Sequence, residues 1–442
     1  MATTSTTKIQ PTLMARLGEA RERTDELFRL LRPEAYFDRP IPERHRNIFY
    51  LGHLEAFDWN LLSERALGLK SFKPEFDQLF AFGIDPVGGS LPSDRAKDWP
   101  PVEKIRRYNR RVRHELDAAL ERVWASLSSD LAASLEQLLN VAIEHRLMHA
   151  ETFAYMLHRL PVSRKISQPA PPAAPSKPIM PRMVEIPAGE ATLGLGAKGP
   201  EHFGWDNEFK PHRVKVPAFC IDVYPVTNGE FLKFINAGGY ENQSLWAEEA
   251  WQWVTSCEVR HPAFWVWSGA SWHYRTMFGE VPLPLDWPVY VSHAEAAAYA
   301  RWTEKDLPTE AEWHRAALGT TAEHERPYPW GSQPPARAFG NFDFHRWDPV
   351  SVTAHPAGAS AFGVMDLVGN GWEWTSTIFS PFPGFEPFPF YPGYSANFFD
   401  GRHYVLKGGS ARTAACMLRR SFRNWFQPHY PYVYAKFRCV VR

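Results

Sequence analysis

The chain has 442 residues, and its 49 basic and 49 acidic side chains give a formal net charge of zero. Because the charges balance and form no basic stripe, nucleic acid is an unlikely partner by composition. No stretch reaches the roughly 20 apolar residues of a membrane-spanning helix, and the opening MATTSTTKIQ lacks the apolar core of a signal peptide. We therefore expect a cytoplasmic protein without membrane association, and the length favours two domains.

The N-terminal third has a helical pattern, with good helix formers and apolar residues at three- and four-residue spacing. We predict a four-helix bundle over residues 1–160, with a long second connection at residues 65–100 that contains short turns of its own. The predicted helices cover residues 10–32, 45–64, 101–127 and 129–159.

The remaining sequence divides into a linker and a second domain. Residues 161–182 contain seven prolines and almost nothing that could form a core, which predicts a semi-rigid linker. From residue 183 to 442, short strand-like pieces alternate with turns, and two short helices are predicted at residues 228–236 and 292–303. The predicted fold class is therefore multidomain, with an α domain followed by a loop-rich α+β domain.

Three histidines lie on core-facing stripes of the predicted bundle. His145 and His149 are four residues apart on the fourth helix, so one imidazole stands a turn above the other and both can reach a single ion. His53 lies on a comparable stripe of the second helix and can face this pair. Three neutral imidazoles leave coordination positions open, as in a catalytic site. The pattern alone leaves zinc, iron and a hydrogen-bonded core cluster as alternatives.

The residues around the histidine pair narrow the chemistry. The zinc peptidase motif has a glutamate directly after its first histidine, whereas this chain has Arg146 there. No general base is placed for hydrolysis, which argues against a zinc peptidase. Glu144 and Glu151 flank the pair; either could orient a ligand imidazole, and each could equally be a solvated helix charge.

Six phrases in the second half are distinctive: YPVTNGEF, LPTEAEWHRAA, YPWG, GVMDLVGNGWEWT, VLKGGS and RRSFRNW. Together they resemble the formylglycine-generating-enzyme domain, a variant of the C-type lectin fold, over residues 183–442. Formylglycine-generating enzymes bind copper through a cysteine pair near the C-terminus, and the corresponding segment SFRNWFQPHYPYVYAKFRC has no such pair. The resemblance therefore implies the fold without implying oxidation of a protein cysteine.

A DinB-like bundle, an HxxxHxE motif, a GHLEAF histidine and this second domain occur together in the chain. The combination resembles the ergothioneine-biosynthesis sulfoxide synthases, including the related selenoneine synthases, over about the whole chain. The resemblance implies Fe(II) held by His53, His145 and His149, with O2 as co-substrate. It further implies an enzyme that joins sulfur to imidazole C2 of hercynine, the trimethylated betaine of histidine.

The resemblance also carries over substrate-binding residues. Asn424 and Trp425 match the pair that holds the hercynine carboxylate in the family. Members that use γ-glutamylcysteine have an aspartate and, four residues later, an arginine after this pair, whereas this chain has Phe426 and Tyr430. Met148 replaces the family's glutamine before the second motif histidine. Because Phe426 and Tyr430 cannot neutralise charge, we expect a different donor: a small thiol such as free cysteine, which we favour, or a selenosugar.

Further roles stay open at the level of the sequence. The family uses a tyrosine near the iron to deliver a proton or hydrogen atom, and the candidates are Tyr391, Tyr394, Tyr430 and Tyr432. A non-catalytic lectin-like binding protein and a zinc-dependent thiol transferase are the rival functions. Asp366, Asn370 and Glu373 could supply oxygen ligands to a structural calcium ion, or they could serve only in turns.

Overall fold

The structure is a computed structural model, and it describes residues 3–82, 91–124, 129–168, 176–196, 203–322 and 324–442. The chain divides into two compact units, which we call the helical unit (residues 1–169 with 199–203) and the second unit (residues 170–198 with 204–442). Within the described ranges, no helix combines the length and the apolar character that crossing a membrane requires.

The helical unit contains the predicted bundle and one further helix. Its helices are α1 (Thr3–Arg29), α2 (Asn47–Ala66), α3 (Pro74–Phe82), α4 (Val102–Trp124) and α5 (Ser129–Arg159). The first helix begins seven residues earlier than predicted. The long connection contains a short 3-10 turn at Ala96–Asp98, as predicted, and also the nine-residue helix α3, which was not predicted and which packs against α2.

Helix α2 is the centre of this unit. It packs against α3, α4 and α5, and side chains are buried on almost every side of it. Helix α4, by contrast, is amphipathic: it buries Ile105, Tyr108, Val112 and Leu116 at three- and four-residue spacing. A residue on α2 is therefore surrounded by protein, which matters for the histidine that this helix contributes.

The start of the predicted linker is attached to the helical unit. The Ile166 N–H donates to the Leu30 carbonyl at 2.7 Å, and the buried Lys165 ammonium donates to the Leu157 carbonyl at 2.9 Å. Residues 169–175 of the linker lie outside the described residues.

The second unit is built from short strands in small sheets. The strands are β1 (Met183–Ile186), β2 (Gly189–Leu193), β3 (His212–Val216), β4 (Phe219–Asp222), β5 (Trp265–Ser268), β6 (Ser271–Thr276), β7 (Gly279–Pro282), β8 (Trp372–Ile378), β9 (Tyr404–Lys407), β10 (Asn424–Phe426), β11 (Ala435–Lys436) and β12 (Val440–Val441). Within the described residues, one sheet has the order β1-β4-β12, a second β10-β9-β8-β11, a third β2-β3 and a fourth β5-β6-β7.

Among the described residues of this unit, five short α-helices accompany these sheets. The two predicted ones are present as α6 (Asn228–Asn236) and α8 (His293–Trp302). The sequence interpretation missed α7 (Glu248–Ser256), α9 (Glu310–Leu318) and α10 (Gly393–Ala396), which belong to the described residues. Helix α9 had a readable start signal, since Thr309 and Glu312 form a capping box.

The three residues considered as calcium ligands are engaged by protein groups. One Asp366 carboxylate oxygen accepts hydrogen bonds at 3.0 Å from both Lys436 and Asn370. The Glu373 carboxylate accepts from Arg438 at 2.6 and 2.8 Å. Lys436 and Arg438 thus supply the positive charge beside these carboxylates, and the residues serve the fold of the second unit.

Candidate metal centre and substrate strand

His53, His145 and His149 come together in the helical unit. Each offers one ring nitrogen, and the three nitrogen atoms lie within 4.8 Å of one another. Two nitrogens that bind one ion at about 2.1 Å lie roughly 3 to 4 Å apart, so a small inward shift of the rings suffices for coordination. The helical spacing therefore places these side chains where the sequence predicted.

The hydrogen bonds of the three imidazole rings leave ring nitrogens available to bind a metal ion. The His53 Nδ1–H donates to the Phe80 carbonyl of α3 at 2.7 Å, which leaves Nε2 with its lone pair for an ion. The Nδ1 atoms of His145 and His149 are buried and have no hydrogen-bond partner among the described residues. Because a buried, unpaired polar atom is costly, these two rings differ from the hydrogen-bonded histidines of an ordinary core.

The three imidazoles are held in the neutral form that binds metals. Burial lowers the pKa of His53 to about 4, and the Phe80 carbonyl only partly offsets this effect. Burial also lowers the pKa of His145 and that of His149 well below the usual range, and the neighbouring histidines add to the shift. At neutral pH an incoming cation would therefore displace no protons from these rings.

Aromatic side chains of α2 form the walls of the cluster, and the sequence interpretation missed two of them, Tyr50 and Phe57. Phe57 stacks on His145 with ring centroids 3.4 Å apart, and Phe49 stacks on His53 at 4.8 Å. The Tyr50 ring lies 5.8 Å from that of His149. The signal was available, since Phe49, Tyr50 and Phe57 stand three or four residues from His53 and thus share its helix face.

The acidic residues beside the histidine pair are not solvated charges. Glu144 is 2% exposed and Glu151 is 7% exposed, so the alternative of a solvent-facing position is wrong for both. Met148, on the turn of α5 that joins the two histidines, is half-buried. Arg146 is completely buried and turns toward carboxylates of α2.

In the second unit, Asn424 and Trp425 open the edge strand β10, which pairs with β9. The Asn424 side-chain oxygen accepts from the Trp425 backbone N–H at 2.9 Å, so the amide group is oriented with its N–H donors away from the backbone. The Asn424 amide and the Trp425 indole N–H donate to none of the described residues. Neighbouring strand residues face opposite sides of a sheet, so the Asn424 and Trp425 side chains project from different faces of β10.

Trp425 belongs to an aromatic cluster that includes one tyrosine candidate. Its ring stacks on Phe379 at 4.2 Å and meets Tyr394 edge-on at 5.4 Å. Tyr394 also stacks on Trp205 and is buried, while the Tyr391 ring lies 5.5 Å from that of Tyr394. Burial raises the pKa of Tyr391 above its usual value. Tyr391 and Tyr394 are thus near the predicted substrate residues on the same unit.

Phe426 and Tyr430 form a separate aromatic pair. Their rings stack at 5.5 Å with planes 3° apart, and Tyr432 meets Tyr430 edge-on at 5.0 Å. Phe426 and Tyr430 therefore form a neutral, partly exposed aromatic surface.

One cavity of the helical unit is not lined by the histidine cluster. Its volume is about 700 Å³, and its lining includes Phe28, Tyr36, Leu51 and Arg106 but none of the three histidines. Leu51 and His53 are two residues apart on α2 and so point to different sides of the helix.

Comparisons with known proteins agree with this architecture. Residues 168–442 match the family described as "Sulfatase-modifying factor enzyme 1-like domain", and residues 16–153 match the DinB superfamily. A hercynine oxygenase of Mycolicibacterium smegmatis is 39% identical over 297 residues, which cover 65% of this chain and 68% of the relative. The solved structure of PvdO from Pseudomonas aeruginosa matches 58% of this chain and 93% of its own with a TM-score of 0.40 and 20% identity.

Two further relatives match at comparable levels. A hercynine oxygenase of Mycobacterium tuberculosis is 42% identical over 251 residues, which cover 56% of this chain and 58% of the relative. The ergothioneine biosynthesis protein 1 of Neurospora crassa is 30% identical over 494 residues, which cover 93% of this chain and 55% of the relative. The chain thus spans little more than half the length of these two relatives. With its DinB domain followed by a formylglycine-generating-enzyme-like domain, the chain belongs to the ergothioneine-biosynthesis sulfoxide synthase family.

Proposed function

We propose that the protein is a nonheme iron(II)- and O2-dependent synthase that joins sulfur to imidazole C2 of hercynine. The observation that carries the proposal is the convergence of the His53, His145 and His149 nitrogens within 4.8 Å, in a chain 39% identical to a hercynine oxygenase. Iron(II) at this site would supply open coordination positions and electron transfer to O2. Zinc, which cannot change its oxidation state, would not serve an oxygen-dependent reaction.

The reaction is balanced by one O2. The C2–H bond of hercynine and the S–H bond of the thiol are replaced by a C–S bond; one oxygen atom becomes the sulfoxide oxygen and the other leaves as water. The two hydrogens of that water come from the C–H and S–H bonds. A tyrosine that moves one of these protons would fit this balance, and Tyr391 and Tyr394 stay candidates because they lie near Trp425.

The protein's own groups would hold hercynine at its charged end. The Asn424 amide and the Trp425 indole N–H both donate, as a carboxylate requires. Aromatic faces such as those around Trp425 attract a trimethylammonium group through cation–π interaction. These roles are proposals, and they predict that hercynine lacking its carboxylate binds poorly.

A second candidate is a selenoneine synthase, which joins a selenosugar to hercynine. The stacked Phe426 and Tyr430 favour it, because free cysteine carries an ammonium and a carboxylate that this surface does not neutralise. A sugar has an apolar face that suits an aromatic ring and hydroxyl groups that a tyrosine can hydrogen-bond. We retain a thiol as the first candidate because the relatives are named for oxygenation of hercynine and for ergothioneine biosynthesis.

One experiment tests the chemistry and the donor together. Protein loaded anaerobically with Fe(II) would receive hercynine and then cysteine, γ-glutamylcysteine or a selenosugar in parallel, with O2 uptake and product mass recorded. We expect O2 consumption and a hercynine conjugate with cysteine or the selenosugar, and little with γ-glutamylcysteine. A binding protein would show ligand-dependent thermal stabilisation without O2 uptake, and a zinc-dependent thiol transferase would work with zinc under nitrogen.

A further inference from the structure

Arg146 has an unusual position for a fully buried arginine. It stands between His145 and His149 on α5, at 0% exposure, and its side chain crosses to α2. One terminal nitrogen donates to Asp58 at 2.6 Å and to Glu55 at 2.8 Å. The other terminal nitrogen donates to the second Glu55 oxygen at 3.1 Å. Both carboxylates are themselves buried, so the contact is not a surface ion pair.

The contact joins the two helices that carry the predicted ligands, close to the ligands themselves. Glu55 and Asp58 follow His53 by two and five residues on α2, and Arg146 directly follows His145. The same guanidinium also donates to the Leu54 backbone carbonyl at 3.0 Å. The guanidinium is planar and its N–H groups point in fixed directions. Because it binds two carboxylates and a carbonyl of α2 at once, α5 can take only one position along the axis of α2. A slide of one helical turn would displace the rings by about 5.4 Å.

A second arginine connects the same carboxylate to the rest of the bundle. Arg113 of α4 donates to Glu55 at 2.6 Å and to Asp25 of α1 at 2.7 and 2.8 Å. Glu55 is thus shared by arginines from two helices, which further fixes α2. Burying such a network gains little stability compared with apolar packing, so its benefit is better sought in the geometry that it imposes.

We infer that Arg146 is a positioning residue of the metal centre: bound to Glu55 and Asp58, it fixes His53 against His145 and His149 before the ion arrives. The inference rests on the proposed metal site. The residue does not touch the ion or the substrate. Its removal should therefore weaken metal binding in protein that is still folded, whereas a purely structural arginine would change stability alone.

The test uses Co(II) as the probe, because its visible absorption reports ligand geometry and needs neither hercynine nor O2. The main variant is Arg146→Met combined with Glu55→Gln and Asp58→Asn, which removes the ionic contact without leaving a buried charge unpaired. The full-length variant should keep its helical circular dichroism, bind Co(II) roughly 10- to 100-fold more weakly and show altered absorption bands. Arg29→Met, which removes an exposed ion pair of α1 with Glu22, is the matched control and should bind like the wild type.

A second variant covers the case in which the triple variant does not fold. Arg146→Lys keeps the positive charge but loses the paired N–H donors of the guanidinium. It should bind Co(II) several-fold more weakly than the wild type. Its absorption spectrum should lie between those of the wild type and the triple variant. Either folded variant with wild-type affinity and spectrum would overturn the inference. If the wild-type protein bound no Co(II), Zn(II) or Fe(II), the proposed function itself would be wrong. Failure of the inference about Arg146 can therefore be distinguished from failure of the proposed function.

Discussion

The two units carry their predicted site residues on different kinds of structure. In the helical unit, three histidines come from two long helices, and the neighbouring Arg146 network holds those helices together. In the second unit, Asn424 and Trp425 stand on a three-residue edge strand, and Tyr430 follows in the loop. A helix fixes the spacing of its own residues, whereas a short strand takes its position from distant partners. In the helical unit, substitutions near the histidines should therefore change the site directly. In the second unit, substitutions far from β10 should also change the site, because they alter the fold that positions this strand.

The largest expected effect is on the stability of the second unit. Arg438→Met leaves the Glu373 carboxylate buried without its bidentate partner, at the start of β8, to which β9 and then β10 are paired. We expect a loss of about 3 to 5 kcal/mol in the free energy of unfolding. Urea unfolding of the full chain, followed by tryptophan fluorescence, would measure it.

The matched control is Arg213→Met, which removes an ion pair between exposed residues of β2 and β3. This change should cost no more than about 1 kcal/mol. Equal destabilisation by both variants would mean that the buried network does not support the strand to which β10 is attached.

The next largest effect is expected on metal binding by the proposed site of the helical unit. His149→Ala removes one of three ligands, and we expect metal affinity to fall by more than about 100-fold, because even residues that only orient a ligand contribute 10- to 100-fold. Metal content after dialysis and calorimetric titration would measure the change. His114→Ala, on the exposed side of α4, is the control and should retain stoichiometric metal. Full metal content in His149→Ala would show that the ligand assignment is wrong.

The difference between long helices and short strands also explains which features could be predicted from the sequence. The four long helices and the histidine cluster followed from periodicity, because a helix converts sequence spacing directly into a shared face. Helix α3 was missed because its nine residues are too few for a clear period. Strands β5–β7 and helix α7 lie in a stretch rich in tryptophan, and each of them is only four to nine residues long, which is too short for a clear period.

Buried charge is the part that the sequence conceals. From the sequence, Arg146 could be identified only as a departure from the peptidase motif. Its partners Glu55 and Asp58 could not be distinguished from other polar residues of α2. Likewise, the sequence left Asp366 and Glu373 as either calcium ligands or turn residues, and it did not indicate their ion-pair partners Lys436 and Arg438, which lie 70 and 65 residues away. Pairing over such separations depends on the tertiary fold and leaves no local pattern.

A smaller effect is expected at the substrate strand. Asn424→Ala removes a donor to the proposed carboxylate, and a hydrogen bond to a charged group contributes about 1.5 to 3 kcal/mol. The KM for hercynine should therefore rise about 10-fold or more, while metal affinity stays unchanged. Asn236→Ala, at the exposed end of α6, serves as the control. A fall in kcat at constant KM would show that Asn424 acts in the chemical step and not in hercynine binding.

The smallest expected effect concerns the choice of donor. Phe426→Asp together with Tyr430→Arg would place at these positions the two charges that the family resemblance associates with γ-glutamylcysteine as donor. Because the native rings stack at 5.5 Å, the new side chains would lie close enough to form a charged subsite. We expect a several-fold gain in turnover with γ-glutamylcysteine and a loss with an uncharged selenosugar, measured by competition between the two donors. Tyr430→Phe keeps the ring and should leave the preference unchanged; a double variant with the native preference would place donor selection elsewhere in the protein.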